Sequence, residues 1–277
     1  MTERRSAAMP EPAAAVAEPA GVSPRPAHGG AYLGPEAYEG GLRVVCFHHA
    51  GGGASGFRAW RGAFGPDVAV CPVQLPGRES RRRERPFTDI GALVAELDRE
   101  LDEVLEEPHL LFGHSMGALV AYRLALRRMR RGARPALGLA AACYPAPRRA
   151  ASGGIGTWAL ADDETLAGLL ADAGGVPAEL LRHRSLLRAL LGAVRADLGV
   201  CTTHRAQDAG TLDIPVHVFG GRGDRIVAPE ALAGWAQCTA DRFTLRMLEG
   251  GHFFPVRTPG ELLAELGPVV AAARARS

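Results

Sequence analysis

Residues 110–119 read Leu-Leu-Phe-Gly-His-Ser-Met-Gly-Ala-Leu. Ser115 stands in a Gly-x-Ser-x-Gly pentapeptide. A strand-like apolar run, 109–112, comes before it, and Ala118, Leu119, Ala121, Leu124, Ala125 and Met129 follow at helical spacing. Strand, tight turn and helix in that order predict a nucleophile elbow. The serine backbone in such a turn is strained, and Gly113 and Gly117 fall where any side chain would collide with neighbouring backbone. The expectation is a serine held out at the carboxyl edge of a sheet.

Away from this turn the chain alternates short apolar strands with longer helical segments. Strands are expected at 42–47, 68–73, 109–112 and 136–142, with helices near 56–64, 88–105 and 116–130. The rhythm returns late, with strands 215–219 and 243–248 and helices 229–238 and 260–274. Alternation of this kind predicts an α/β fold, a mostly parallel sheet flanked by helices. Residues 150–208 break it: they hold no strand pattern, and Leu186, Leu187, Leu190, Leu191, Val194 and Leu198 recur at helical spacing. We read this stretch as a helical lid insertion over the elbow, its helices divided by Gly174, Gly175 and Pro177, with a rigid helical cap as the alternative.

The chain has 277 residues and a net charge of +2, which fits a single domain with a full core and gives no field strong enough to suggest nucleic acid. Lysine and asparagine are absent and arginine carries all the basic charge. Five cysteines, with no Cys-x-x-Cys among them, mostly lie in apolar runs; buried free thiols in a reducing cytoplasm are expected. Residues 1–40 are rich in Ala, Pro, Glu and Gly, without an apolar run long enough for a signal core or a membrane span, and are read as a disordered leader before a domain at 41–277.

A serine hydroxyl is a poor nucleophile near neutral pH and needs a base, which in turn needs an orienting group. In an elbow-type fold the order is serine, acid, histidine, the last two on loops after late strands. His252, in Glu-Gly-Gly-His-Phe-Phe after the 243–248 strand, is the expected base. His204 falls in the insert, His217 within a strand, and His114 is expected to point away from the serine. Asp224, in Gly-Gly-Arg-Gly-Asp-Arg after the 215–219 strand, is the expected acid, ahead of Asp213 and Glu230. The oxyanion hole is expected from the backbone N–H of Met116 and from Ala50 or Gly51 in the 48–53 loop, with Ala50 preferred. No metal or cofactor is expected. The glycine run also lacks the Gly-x-x-x-x-Gly-Lys that would hold a nucleotide phosphate.

These residues resemble the type II, free-standing editing thioesterases of polyketide and nonribosomal peptide biosynthesis, members of the α/β-hydrolase superfamily. The resemblance covers nearly everything after the leader. It is carried by Cys46 to Ser55, Val73-Gln74-Leu75-Pro76-Gly77-Arg78, Phe112-Gly113-His114-Ser115-Met116-Gly117-Ala118, Arg195-Ala196-Asp197 and Gly251-His252-Phe253-Phe254. It implies Ser115 as nucleophile, His252 as base and Asp224 as acid, in hydrolysis of acyl thioesters from the phosphopantetheine arm of acyl or peptidyl carrier proteins. Three positions depart from the family pattern. His48-His49 replaces the Pro of a Phe-Pro before the Ala-Gly-Gly loop, Ala142-Cys143-Tyr144 replaces Ser-Gly-Arg, and Gly223 replaces a second aspartate beside Asp224. At a strand end, His48 and His49 are expected to be exposed, with lining of the active-site mouth as the alternative.

Carrier proteins resemble acidic helical bundles. Arg81, Arg82, Arg83 and Arg85, or the cluster Arg127, Arg128, Arg130, Arg131 and Arg134, are the candidate contacts, weighed against ordinary solvated charge. No membrane contact is expected, and the chain is expected to act as a monomer. The competing readings are a carboxylesterase or lipase, a chain-releasing thioesterase, and a ligand-binding scaffold without turnover. A leader too short to hold a carrier bundle favours the free-standing enzyme over the chain-releasing kind.

Overall fold

Five parallel pairings join six strands in the order β2-β1-β3-β4-β5-β6. The structure is a computed structural model that describes residues 30–33, 41–148, 154–176 and 178–277. Its strands are β1 (Leu42–Phe47), β2 (Val68–Pro72), β3 (His109–His114), β4 (Leu139–Ala142), β5 (Val216–Gly221) and β6 (Phe243–Leu248). Helices α1 (Ile90–Glu100), α2 (Asp102–Leu105) and α3 (Met116–Arg130) precede β4, and α4 (Gly154–Leu160), α5 (Asp163–Asp172), α6 (Ala178–Leu181) and α7 (Arg184–Thr202) form the insert between β4 and β5. The C-terminal part adds α8 (Pro229–Ala233), α9 (Phe254–Arg257) and α10 (Gly260–Arg274).

The two-residue period of β1 divides the core. Val45 and Phe47 face the layer built with α1 and α3, whereas Leu42, Val44 and Cys46 face Phe57, Trp60 and the α10 residues Leu262 and Leu266. A third apolar cluster, including Leu166, Leu170, Leu191, Val194 and Leu198, belongs to the insert. Because the strand order reverses at β1, the loops leaving β1 and β3 diverge to opposite sides of the sheet and open a crevice at its carboxyl edge. Both the 48–53 loop and Ser115 sit there.

The expected elements are present, with local differences. The 56–64 helix is a 3-10 turn over Ala54–Trp60, the 88–105 helix breaks at Leu101, and β4 begins three residues later than expected. Most of the expected leader lies outside the described residues, but its boundary needs correction. Tyr32 and Leu33 are core residues: the Tyr32 carbonyl accepts the Gln74 N–H at 2.7 Å, and the Arg81 guanidinium lies 4.1 Å above its ring. A buried aromatic ring covered by a guanidinium, on a backbone tied to the loop after β2, gains enough burial to offset ordering of its short segment. Among the described residues no helix is long and apolar enough to cross a membrane.

Candidate active site

Ser115 closes β3 and opens α3 with φ 53° and ψ −122°, a conformation that non-glycine residues rarely hold. The two flanking glycines are required by contact. A Cβ on Gly113 would lie 2.2 Å from the Gly117 carbonyl oxygen, and one on Gly117 would lie 2.1 Å from that of Phe47. The strained serine thus depends on backbone layers touching on both sides of it.

The fold brings the three expected side chains together. His252 Nε2 is 2.9 Å from Ser115 Oγ, and His252 Nδ1 is 2.9 Å from Asp224 Oδ2. The side chains of His252 and Asp224 are 4% and 1% exposed. The other Asp224 oxygen accepts the N–H groups of Ile226 at 2.8 Å and Val227 at 3.1 Å, so every strong contact of the carboxylate favours its charged form. Burial pushes its pKa up, but the His252 hydrogen bond and charge and these two amides outweigh burial and hold it below the usual carboxylate range. Cys143 Sγ also lies within 4.8 Å of these groups. The facing atoms of Asp224 and His252 are hydrogen-bonded to each other at 2.9 Å.

His114 makes no hydrogen bond to Ser115 among the described residues, but it has a place in the site. Its Nε2 lies 2.8 Å from the His252 carbonyl oxygen, which fixes the loop that carries the base. His204 and His217 are structural, the first between Arg123 and the Pro147 carbonyl, the second on Thr244.

The expectation that His48 and His49 are exposed is overturned. His48 is 1% exposed, and His49 packs its ring against His114 and Phe253 while lining the cavity next to Ser115. The insert residues Ile155, Trp158, Leu170 and Val194 line the same cavity opposite His49. Burial, the largest cause, lowers the pKa of His49 to about 3 and that of His109 to about 4, and takes His48 and His114 well below their ordinary value. Unfolded imidazoles titrate near 6.5, so below that pH the unfolded chain binds protons that the fold excludes. Stability is therefore complete above about pH 6.5 and falls as the pH drops toward 4, at about 1.4 kcal/mol per pH unit for each of these imidazoles. Urea midpoints at pH 7.5 and pH 5 should differ by more than 1 M; equal midpoints would mean that these rings are not excluded from protonation.

A narrow cavity of about 30 Å³ opens onto Ser115 and His252. Ala50 lines it from the β1 loop, and Ile155, Trp158, Leu170 and Val194 line it from the insert. Wider grooves exist, one of about 250 Å³ beside Arg242 and Glu265, but none of their lining residues belongs to the serine relay. Of the two candidates for the second oxyanion donor the geometry favours Ala50. The Gly51 N–H is taken by Asp197 Oδ2 at 2.7 Å, whereas the Ala50 and Met116 amides have no hydrogen-bond partner among the described residues. The link to Asp197, 146 residues away, has no signal in the local sequence.

The arginine clusters are less free than their sequence suggests. Arg81 is held by both oxygens of Glu84 and by Tyr32. Arg127, Arg128 and Arg131 form a network with Asp98 and Asp102 that joins α3 to α1 and α2, with Arg128 itself 1% exposed. Arg82, Arg83 and Arg85 stay exposed on the turn after β2, at the sheet edge that carries Ser115.

A family model for a thioesterase domain matches residues 42–268. The gramicidin S biosynthesis protein GrsT of Aneurinibacillus migulanus is 31% identical over 227 residues, covering 80% of this chain and 86% of its own length. Among solved structures, RedJ, a thioesterase from the prodiginine biosynthetic pathway in Streptomyces coelicolor, is 37% identical with a TM-score of 0.77, over 83% of this chain and 86% of that one. The type II thioesterase BorB from the borrelidin biosynthetic cluster is 32% identical with a TM-score of 0.76, over 88% and 97% of the two chains.

Proposed function

The chain belongs to the thioesterase family, and from that premise we propose that it hydrolyses acyl thioesters on the phosphopantetheine arm of carrier proteins, clearing aberrant or stalled acyl groups from a polyketide or nonribosomal peptide assembly line. The observation that carries this reading is the Ser115–His252–Asp224 relay at the mouth of an apolar cavity. His252 Nε2 takes the Ser115 proton as Oγ bonds to the thioester carbonyl carbon, and the developing oxyanion is received by the Ala50 and Met116 amides. Collapse breaks the C–S bond, and the proton on His252 passes to the departing thiolate. Water then repeats the sequence on the acyl-serine, giving the free acid and restoring Oγ–H. A thioester is already activated toward acyl transfer, so no cofactor is needed.

Insert helices α4, α5 and α7 form the roof of the cavity, and Leu160 and Leu186, the most exposed large apolar side chains among the described residues, lie on insert helices. In this reading the insert is a lid: the closed cavity admits a short acyl group, and longer chains require α4 and α5 to move outward. Five free, buried cysteines fit a cytoplasmic setting.

The test is mass spectrometry of acetyl-, propionyl- and longer acyl-carrier proteins, with free acyl thiols and p-nitrophenyl esters as controls. Loss of acyl mass from the carrier is expected, fastest for the short chains. Rapid ester cleavage with carriers untouched would indicate an esterase, and no turnover of any substrate would favour a binding scaffold.

Arg82, Arg83 and Arg85 are the docking contacts in this reading. The end of α3 is a weaker candidate because Arg127 lies about 17 Å along the axis from the start of the helix, at a rise of about 1.5 Å per residue, toward the opposite sheet edge. Charge reversal at Arg82, Arg83 and Arg85 should raise KM for acyl-carrier substrates about tenfold at low salt and leave KM for small thioesters unchanged. An equal effect on both substrates would remove the docking role.

A further inference from the structure

Asp197 is a buried carboxylate on the insert, far from the serine relay in sequence and outside it in space. It is 1% exposed, and its Oδ2 accepts the Gly51 N–H at 2.7 Å. Its two oxygens also receive both terminal nitrogens of Arg78, the second at 2.9 Å from Oδ1. Arg78 is in turn held at the Pro76 carbonyl. Burial raises the Asp197 pKa, and the Arg78 charge and the Gly51 amide act against it.

The 48–54 loop is consequently fixed at two points. Gly51 is tied to α7 through Asp197, and the Ala54 N–H is tied to Gln74 Oε1 at 3.0 Å in the 73–78 loop. Ala50, the residue with the free amide facing the cavity, immediately precedes the first of these anchors. The approach is also sterically tight: Gly51 has φ +77°, and a Cβ there would fall 2.4 Å from Val194 Cγ2 on α7. The neighbouring Arg195 holds Asp163 at 2.7 Å and the Ala161 carbonyl at 2.8 Å, which binds α7 to the start of α5. Val194, Arg195 and Asp197 on α7 thus unite the insert and fasten it to the 48–54 loop.

We propose that the Arg78–Asp197 pair is a positioning device for the oxyanion hole, in which Asp197 sets the Ala50–Gly51 backbone and couples the seating of the insert to stabilisation of the transition state. This rests on the serine-hydrolase reading above. It goes beyond that reading in assigning part of the catalytic geometry to a helix of the lid. The pair does not touch substrate. Its effect therefore appears in kcat and in transition-state affinity, with little change in KM.

Two double variants separate the roles. Arg78→Met/Asp197→Leu removes both charges together with the acceptor for Gly51, and avoids stranding one buried charge. It is expected to lower kcat about 100-fold, since a displaced donor costs nearly as much as an absent one, and to weaken a trifluoromethyl ketone analogue by the same factor. Arg78→Gln/Asp197→Asn keeps an oxygen for the Gly51 N–H and should stay within about tenfold of wild type. If both variants lose thermal stability but bind the analogue as wild type does, the pair is only structural and the proposal is overturned.

Should the first variant fail to fold, amide NMR of the wild-type protein decides the matter. A Gly51 proton that is strongly downfield and slow to exchange is expected from a charge-assisted bond, and an unshifted, fast-exchanging proton would refute it. Fluorophosphonate labelling of Ser115 in the wild type keeps the two hypotheses apart. Labelling with unchanged analogue affinity in the variants sinks this inference alone, while absence of labelling sinks the hydrolase reading that it stands on.

Discussion

Ser115→Ala is expected to lower turnover of acyl-carrier substrates about a million-fold, the loss typical when the nucleophile of a serine triad is removed. The substitution deletes one oxygen whose only side-chain partner among the described residues is His252 Nε2, at 2.9 Å. It leaves the elbow backbone, the Met116 and Ala50 amides and the apolar cavity in place. Binding of acyl-carrier substrate should therefore survive, and the variant should accumulate intact complex. The measurement is single-turnover loss of acyl mass beside an equilibrium binding assay. Hydrolysis persisting at the wild-type rate would show that a different group attacks the thioester and that the strained turn at Ser115 has another purpose. Because alanine at φ 53° carries much the same backbone strain as serine, little change in melting temperature is expected, and a large loss would make the kinetic comparison invalid.

Asp224→Asn should cost about ten-thousand-fold in kcat. The reason lies in how the carboxylate is shared. Oδ1 accepts two backbone amides, from Ile226 and Val227, and an asparagine must keep its carbonyl oxygen on that side. Its NH2 group then faces His252 Nδ1, which is forced to accept a hydrogen bond. The ring proton moves to Nε2, so the base presents N–H to Ser115 where a lone pair is required. The shape is preserved and the tautomer is wrong. A pH–rate profile and a melting curve together test this: kcat should fall across the whole range at nearly constant stability. A loss of tenfold or less would show that Asp224 is a turn residue and that the orienting acid lies elsewhere.

Much of this site was legible in the chain. The glycines around Ser115, the strand before it and the helix after it are consecutive residues, and the steric demand that selects them acts over a few ångströms of contiguous backbone. A parallel sheet sends the loops after its strands out on one edge, and an elbow-type fold carries serine, acid and histidine in that order, so Asp224 and His252 could be placed on the loops after β5 and β6. The histidines at 48 and 49 show the opposite situation. Their environment depends on groups distant in sequence, for His49 the rings of His114 and Phe253 and the insert side chains across the cavity, and the sequence around them reads as the open end of a strand. The arginines of α3 were equally opaque, because their partners Asp98 and Asp102 are polar residues of helices that look solvated until the two faces are packed together.

The α/β architecture, the elbow and the positions of the three relay residues were therefore readable from the chain, since each rests on local sterics, on strand–helix periodicity or on the order an elbow-type fold carries. Only the tertiary structure decided which amide of the 48–53 loop is free, that Asp197 holds its neighbour, that Tyr32 belongs to the core, and which arginines face solvent. Each of these is a matter of partners distant in sequence, chosen by hydrogen-bond geometry and burial, and no local pattern records which buried group will meet which.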